Sequence, residues 1–221
     1  MDDLTLLIPA KQESESLPKV LDELKKYNYK INIILDKDDY QTINSVKNYN
    51  VNIIHQKYKG YGDALIHGIN SCDTKYFCIF NADGSFNPIE INKILQKLKS
   101  DNLDFVFASR YTKNGGSEDD TIITLIGNYI FSSIGKIFFK LNISDILYTF
   151  VIGVTKKAKL LELKYKDFGL CVELPIKAKK LNYKLDDFPS YERKRIAGKK
   201  KVNAFFDGLK ILISMMKLYL K

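Results

Sequence analysis

Short apolar runs alternate with stretches whose apolar residues recur every three or four positions, and this alternation organises the first half of the chain. Leu4 to Ile8 is an apolar run stopped by Pro9; Ser14, Glu15, Ser16 and Pro18 then offer a helix start before Val20, Leu21 and Leu24. Ile31 to Leu35 predicts a buried strand ending in Asp36, Lys37, Asp38 and Asp39, and a helix-like stretch leads to a third strand at Asn52 to His55. Gly60 and Gly62 break the chain before a helix through Ala64, Leu65, Gly68 and Ile69. Tyr76 to Phe80 is a fourth strand, Pro88 to Leu98 an amphipathic helix and Phe105 to Ala108 a fifth strand. Such alternation predicts an α/β fold with a mostly parallel sheet covered on both faces, whose ligands gather at the carboxyl ends of the strands.

Beyond Ala108 the pattern loosens. Thr112 to Asp120 reads as an exposed loop, Ile122 to Leu141 as a buried or interfacial helical segment, and Val151 to Val154 as a strand. Leu170 to Ala178 opens another helix with Pro175 near its first turn, a strand is expected near Leu181 to Leu185, and Tyr191 to Lys201 is a basic loop. Asn203 to Leu220 carries Phe205, Leu209, Ile213, Met216 and Leu220 along one side, predicting a C-terminal amphipathic helix over 203–221. With no repeat and no linker-like stretch, residues 1–221 are expected to form one domain, as the length suits.

Composition narrows the class. A chain that is 45% hydrophobic and 28% charged is a folded globular protein. Cys72, Cys78 and Cys171 are scattered, which suggests neither a disulfide framework nor a zinc cluster. MDDLTLLIPA lacks the basic start of a signal peptide, and no run is apolar enough to read as a membrane span, so a cytoplasmic location is expected. The formal charge is +9, concentrated after Lys180, which suits phosphate groups.

Several polar clusters sit where chemistry would. Asn81-Ala82-Asp83 follows the fourth strand, and a carboxylate there can hold Mg²⁺ or Mn²⁺ against a diphosphate; alternatively the segment is simply a turn. Asp36 to Asp39 offers acceptors for a base or ribose. Lys59-Gly60-Tyr61-Gly62 lacks the spacing of a Walker loop yet brings backbone and Lys59 to phosphate, unless it too is only a turn. Asp145 is either a base, an acceptor-orienting group or a helix cap. Arg195, Lys199, Lys200 and Lys201 surround Gly198 in a cationic loop suited to a departing diphosphate. His55 and His67 show no metal-ligand spacing. No nucleic-acid module accompanies the basic loop, so nucleic acid is not an expected partner.

In order, these segments resemble the family 2 glycosyltransferases, especially the catalytic domains of dolichyl-phosphate and polyprenyl-phosphate sugar synthases. LLIPAKQESESLPKVLDEL resembles the opening strand and helix, INIILDKDDYQT the acidic nucleotide turn, and KYKGYGDALIHGI the glycine-bearing loop. FNADGSFNP stands where the family has its metal motif, with Asn81 for the first Asp. VFASRYTKNGG, NISDILYTFVIG and FGLCVELPIKAKK follow, and the closing loop matches at Arg195, Gly198, Lys201 and Asn203, with Lys37, Thr149 and Lys200 as further departures.

The resemblance implies a GT-A fold and an inverting, metal-dependent transfer from a UDP- or GDP-sugar. It puts Pro9, Ala10, Glu13, Asp36, Asp38, Lys59, Gly60, Asn81, Asp83 and Arg110 around the donor, and Asp83 on Mg²⁺ or Mn²⁺. Asp145, Arg195 and Lys201 become the catalytic groups, and Asp145, Tyr148, Glu173 and Lys200 face the acceptor. The expected acceptor is a polyprenyl or dolichyl phosphate at an anionic membrane surface, reached peripherally, with a membrane-protein partner or homodimer as further options. The alternatives are a weak or inactive nucleotide-sugar-binding module and a transferase to a non-lipid hydroxyl acceptor. A sugar-phosphate nucleotidyltransferase would need a glycine-rich signature after the first strand, where Pro9-Ala10-Lys11-Gln12-Glu13 stands instead.

Overall fold

The computed structural model describes residues 3–198 and 203–220. β1 (Leu4–Pro9) is followed by α1 (Leu17–Leu24), β2 (Lys30–Leu35), α2 (Tyr40–Val46), β3 (Asn52–His55), α3 (Tyr61–Ser71), β4 (Tyr76–Ile79), α4 (Pro88–Ser100) and β5 (Phe105–Ser109). Then come β6 (Gly116–Ser117), α5 (Ile122–Phe139), β7 (Val151–Val154), α6 (Thr155–Leu160), α7 (Leu170–Lys180), β8 (Leu185–Pro189), β9 (Tyr191–Glu192) and α8 (Ala204–Tyr219). Among the described residues seven strands form one sheet in the order β3-β2-β1-β4-β7-β5-β8. β7 runs antiparallel to β4 and β5, and every other pairing in this sheet is parallel.

The central strands are nearly continuous apolar runs because helices cover both faces. Leu6, Ile8, Ile33 and Cys78 point into one core with α1, α2 and α4, whereas Leu7, Ile34, Phe77 and Ile79 point into the other with α3, α6, α7 and α8. Local chemistry sets the helix starts. Asp39 accepts the Thr42 amide, Asn87 accepts that of Ile89 before Pro88, and Asn203 accepts that of Phe206. The chain leaves β1 on one side for β2 and β3, then returns to β4 on the other. The crevice between the carboxyl ends of β1 and β4 is therefore the switch point where a ligand fits.

Four expectations change. Thr112 to Asp120 is partly buried and tied down, since β6 pairs in parallel with β9. The strand expected near Leu181 to Leu185 begins at Leu185, because the turn at Asn182 (φ 56°) comes first. Pro175 lies in the second turn of α7, where its missing N–H forgoes a bond to the Cys171 carbonyl without ending the helix. Ile122 to Phe139 is not buried. Its buried positions are Asn128, Ser132 and Gly135, with Phe131, Ile134 and Phe139 partly buried against the core, while most of its large apolar residues face outward, as the interfacial reading has it.

Candidate active site

The switch-point crevice is built from loops that clamp one another. After β1, the Ala10 amide continues the sheet by donating to Ile34, the Gln12 amide donates to Asp39 Oδ2 (2.6 Å), and the Glu13 amide donates to Thr42 Oγ1 (3.0 Å). Glu13 Oε2 accepts the Ser16 hydroxyl at 2.6 Å. Asp36 Oδ1 closes its own turn by accepting the Asp38 amide, leaving Asp38 exposed and Asp36 half-buried at the crevice edge. Asp39 is thus the structural link between the first two loops. The sequence reading missed that role, although Asp39 three residues before Thr42 is an N-cap signal.

Lys59 and Gly60 are exposed on the next loop. Gly60 has φ +134°, and a Cβ there would fall 2.1 Å from the Lys166 carbonyl oxygen. Buried Asp63 holds this loop by accepting the Tyr58 amide at 2.8 Å. The facing segment is fixed in turn by Glu173, which is 1% exposed and accepts the amides of Lys164 and Tyr165 and an ion pair from Lys177. Its carboxylate thus holds the chain at residues 164 and 165 from the interior, whereas the resemblance places Glu173 toward an acceptor.

Asp83 sits in the turn after β4. Its Oδ1 accepts the Ser85 amide (3.0 Å) and hydroxyl (2.8 Å), while Oδ2 faces Arg195 Nη2 at 3.6 Å. Asn81 Nδ2 reaches Ser85 Oγ at 3.4 Å and so braces this turn. The closing segment lies along it, with the Arg193 amide on the Ser85 carbonyl and the Ile196 amide on that of Asp83. Arg195 also pairs with Asp119 Oδ2 at 3.1 Å. Burial alone would lower its pKa, but the Asp119 hydrogen bond and the Asp83 charge outweigh burial and raise it. Lys200 and Lys201 lie outside the described residues.

A second constellation is buried at the end of β5. Arg110 donates through Nε to Asp145 Oδ2 (2.7 Å), through Nη2 to Asp145 Oδ1 (3.0 Å), and through Nη1 to Glu192 and Asp120. Its guanidinium lies 4.6 Å from the ring centre of Tyr148. Burial would lower the Arg110 pKa, yet Asp145 and Glu192 together raise it; burial raises Glu192 against the pull of Arg110. Asp145 is 0% exposed, with both oxygens on Arg110. Asp145 and Arg110 thus satisfy each other in the interior, and a base role for Asp145 or a donor contact from Arg110 would require this pair to open. Tyr148 is likewise buried, its hydroxyl 3.5 Å from Ser190 Oγ, and does not face an acceptor here.

A divalent cation fits the crevice. Oxygen-loving cations such as Mg²⁺ are commonly held by one or two carboxylates together with substrate phosphates, and Asp83 Oδ2 is the carboxylate oxygen not engaged by Ser85. Arg195 Nε is buried with no hydrogen-bond partner among the described residues, a donor that suits an anionic ligand.

The profile of the family described as Glycosyl transferase family 2 matches residues 5–159. Among curated proteins, the UDP-N-acetylglucosamine--dolichyl-phosphate N-acetylglucosaminyltransferase of Methanococcus voltae is 26% identical over 208 residues, covering 83% of each chain. Among solved structures, glucosyl-3-phosphoglycerate synthase from Mycobacterium tuberculosis, in complex with Mn²⁺, UDP and phosphoglyceric acid, superposes with a TM-score of 0.74. It is 11% identical and covers 99% of this chain and 78% of its own. Mannosyl-3-phosphoglycerate synthase from Rubrobacter xylanophilus gives 0.67 at 12% identity, covering 98% and 72%. The fold is accordingly GT-A, as expected from the sequence.

The main expectation about the acceptor is corrected at the same point. The same fold, matched along nearly the whole chain, serves phosphoglycerate synthases, whose acceptor is a small water-soluble acid. The architecture thus does not by itself carry the polyprenyl or dolichyl phosphate specificity expected from the family resemblance.

Proposed function

The chain belongs to glycosyl transferase family 2, and on that premise we propose that it moves a sugar from a nucleoside-diphosphate sugar to a non-lipid hydroxyl acceptor. The observation that carries the reading is Asp83 at the switch point, with one oxygen locked by Ser85 and the other turned to Arg195 of the closing segment. Pro9, Ala10 and Glu13 would line the nucleotide, Asp36 would accept from ribose or base, and the Lys59-Gly60 loop would lie along the diphosphate. Asp83 would hold Mg²⁺ or Mn²⁺, which offsets the negative charge of the leaving diphosphate.

The protein's own groups account for the remaining steps. Arg195 places fixed positive charge where the nucleoside diphosphate departs, and its unpartnered Nε is a further donor to that charge. The acceptor oxygen forms a bond to the anomeric carbon from the face opposite the diphosphate, whose C–O bond breaks, so configuration inverts. A hydroxyl acceptor must lose its proton. We propose Asp119 or Asp145 as the group that takes it, each a carboxylate held by an arginine, Asp119 by Arg195 and Asp145 by Arg110. For cellular location we propose the cytoplasmic side in peripheral contact with a membrane, supported by the outward apolar residues of α8.

The test is to incubate the protein with UDP- or GDP-sugars, Mn²⁺, Mg²⁺ or chelator, and either a panel of soluble phosphorylated hydroxy acids or a polyprenyl phosphate, reading products by mass spectrometry. A metal-dependent product that Asp83→Asn abolishes is expected. Product only with a polyprenyl phosphate, or donor binding indifferent to Asp83, would refute the reading.

A further inference from the structure

α5 and α8 each keep a narrow face for the domain and turn more large apolar side chains outward than inward. Toward the domain, α5 presents Asn128, Ser132 and Gly135 beside the partly buried Phe131, Ile134 and Phe139, with Asn128 Nδ2 donating to the Tyr111 hydroxyl and Ser132 Oγ accepting the Ile146 amide. Outward it presents Ile122, Ile126 and Tyr129, exposed by 77%, 54% and 73%. α8 buries Ile211, Ser214, Met215 and Leu218 but turns Phe205, Leu209 and Met216 to the outside. At 100° per residue its exposed apolar positions form one stripe, and Lys210 and Lys217 fall beside that stripe. Phe138 and Phe139 of α5 pack edge-on against Tyr219, which joins the two helices at one end. Eight exposed large hydrophobic side chains lie on α5 and eight on α8 with its capping residue Leu220, a concentration far beyond the patches of a few hundred Å² usual on soluble monomers.

We propose that α5 and α8 form one two-helix paddle that lies in the plane of an anionic lipid bilayer, its outer face sunk to the level of the acyl chains. This rests on the peripheral location proposed above and names the surface and the lipid chemistry. α5 has the length and composition of a membrane span, but its inner face is hydrogen-bonded to the domain through Asn128 and Ser132, so it lies along the surface and does not cross it. Charge selects the occupant. Lys136, Lys140, Lys210 and Lys217 belong to these helices and their caps, against the single acid Asp207, which is turned to the Asn203 amide and Lys210. A second copy docking on this face would bring its own lysines against these, whereas acidic headgroups complement them while the lysine stems reach up from the apolar layer. The paddle is tied to the buried Arg110 cluster: Asp120, just before α5, bonds to Arg110 and Tyr111.

The experiment is co-sedimentation of the full chain with phosphatidylcholine vesicles and with vesicles containing about 30% phosphatidylglycerol. Light scattering of the free protein runs in parallel. Binding to the anionic vesicles at least about tenfold above the neutral ones, weakened by salt, is expected from roughly 1 kcal/mol per lysine near the surface. Ile126→Asp with Leu209→Asp should abolish it, and Lys136→Glu with Lys210→Glu should remove the lipid preference, with circular dichroism unchanged. Failure of the protein to sediment with either vesicle would overturn the proposal, whether light scattering finds monomers or a dimer that the Asp variants dissociate. Donor binding measured without vesicles in the same preparation tests the transfer chemistry separately, so each reading stands or falls alone.

Discussion

Replacing Asp145 by Asn separates a structural from a catalytic carboxylate. Asp145 is completely buried and receives Arg110 Nε at 2.7 Å, Nη2 at 3.0 Å and the Arg110 amide at 3.3 Å. The amide keeps the shape but removes the charge and turns one acceptor into a donor facing a guanidinium. Breaking a buried pair from one side costs about 3–5 kcal/mol; Glu192 and Asp120 still neutralise Arg110, so the loss should fall near the lower figure, about 3 kcal/mol. With a urea slope of about 2 kcal/mol/M, the midpoint should drop by about 1.5 M. Arg110→Met should cost at least as much, since it leaves three acids together, and the double variant should recover about 2 kcal/mol of the summed losses. Under conditions where Asp145→Asn remains folded, the pH dependence of kcat should keep its acidic limb. Stability within about 0.5 kcal/mol of the parent, with kcat down by about 10²-fold or more and that limb gone, would identify Asp145 as the base and refute the argument.

Other consequences are equally direct. Asp83→Asn should keep the Ser85 hydrogen bonds and hence stability to within about 1 kcal/mol, while metal-dependent donor binding, followed by calorimetry, is lost. Glu173→Gln should destabilise by about 2 kcal/mol and speed hydrogen exchange at Lys164 and Tyr165, whose amides lose a charged acceptor; unchanged exchange would remove its clamping role. Gly60→Ala should cost about 2 kcal/mol or more in chemical denaturation, because its φ of +134° and the Lys166 carbonyl both exclude a Cβ. Burial raises the Asp187 pKa to about 6, above an unfolded value of about 4, so the folded state binds the proton more tightly and this group's contribution is lost as pH rises through 6. Asp187→Asn should therefore raise the unfolding free energy at pH 8, read from urea denaturation, by on the order of 2 kcal/mol and lose that advantage near pH 4; equal gains at both would show that the charge is not the cause.

Much of this molecule is legible in one dimension. The apolar strands alternating with amphipathic helices specify a parallel α/β sheet, since a strand covered on both faces needs apolar residues at every position and a covering helix needs them on one side. The Asn81-Ala82-Asp83 turn and the closing Arg195 were found because a carboxylate at a strand end and a cation in a glycine-bearing loop are local features. β7 escaped as an antiparallel insertion because a four-residue apolar run carries no direction. What three dimensions decided is which polar groups remain available. Asp145, Tyr148, Glu173 and Arg110 look reactive in a list of residues, but each is buried against a partner 8 to 42 residues away. Asp39, legible only as one of a cluster of acceptors for a base or ribose, and Asp63 tie the loops together. The outward face of α5 was invisible for the same reason: periodicity tells that a helix has two sides, and only packing, through Asn128 and Ser132, determines which side the protein keeps for itself.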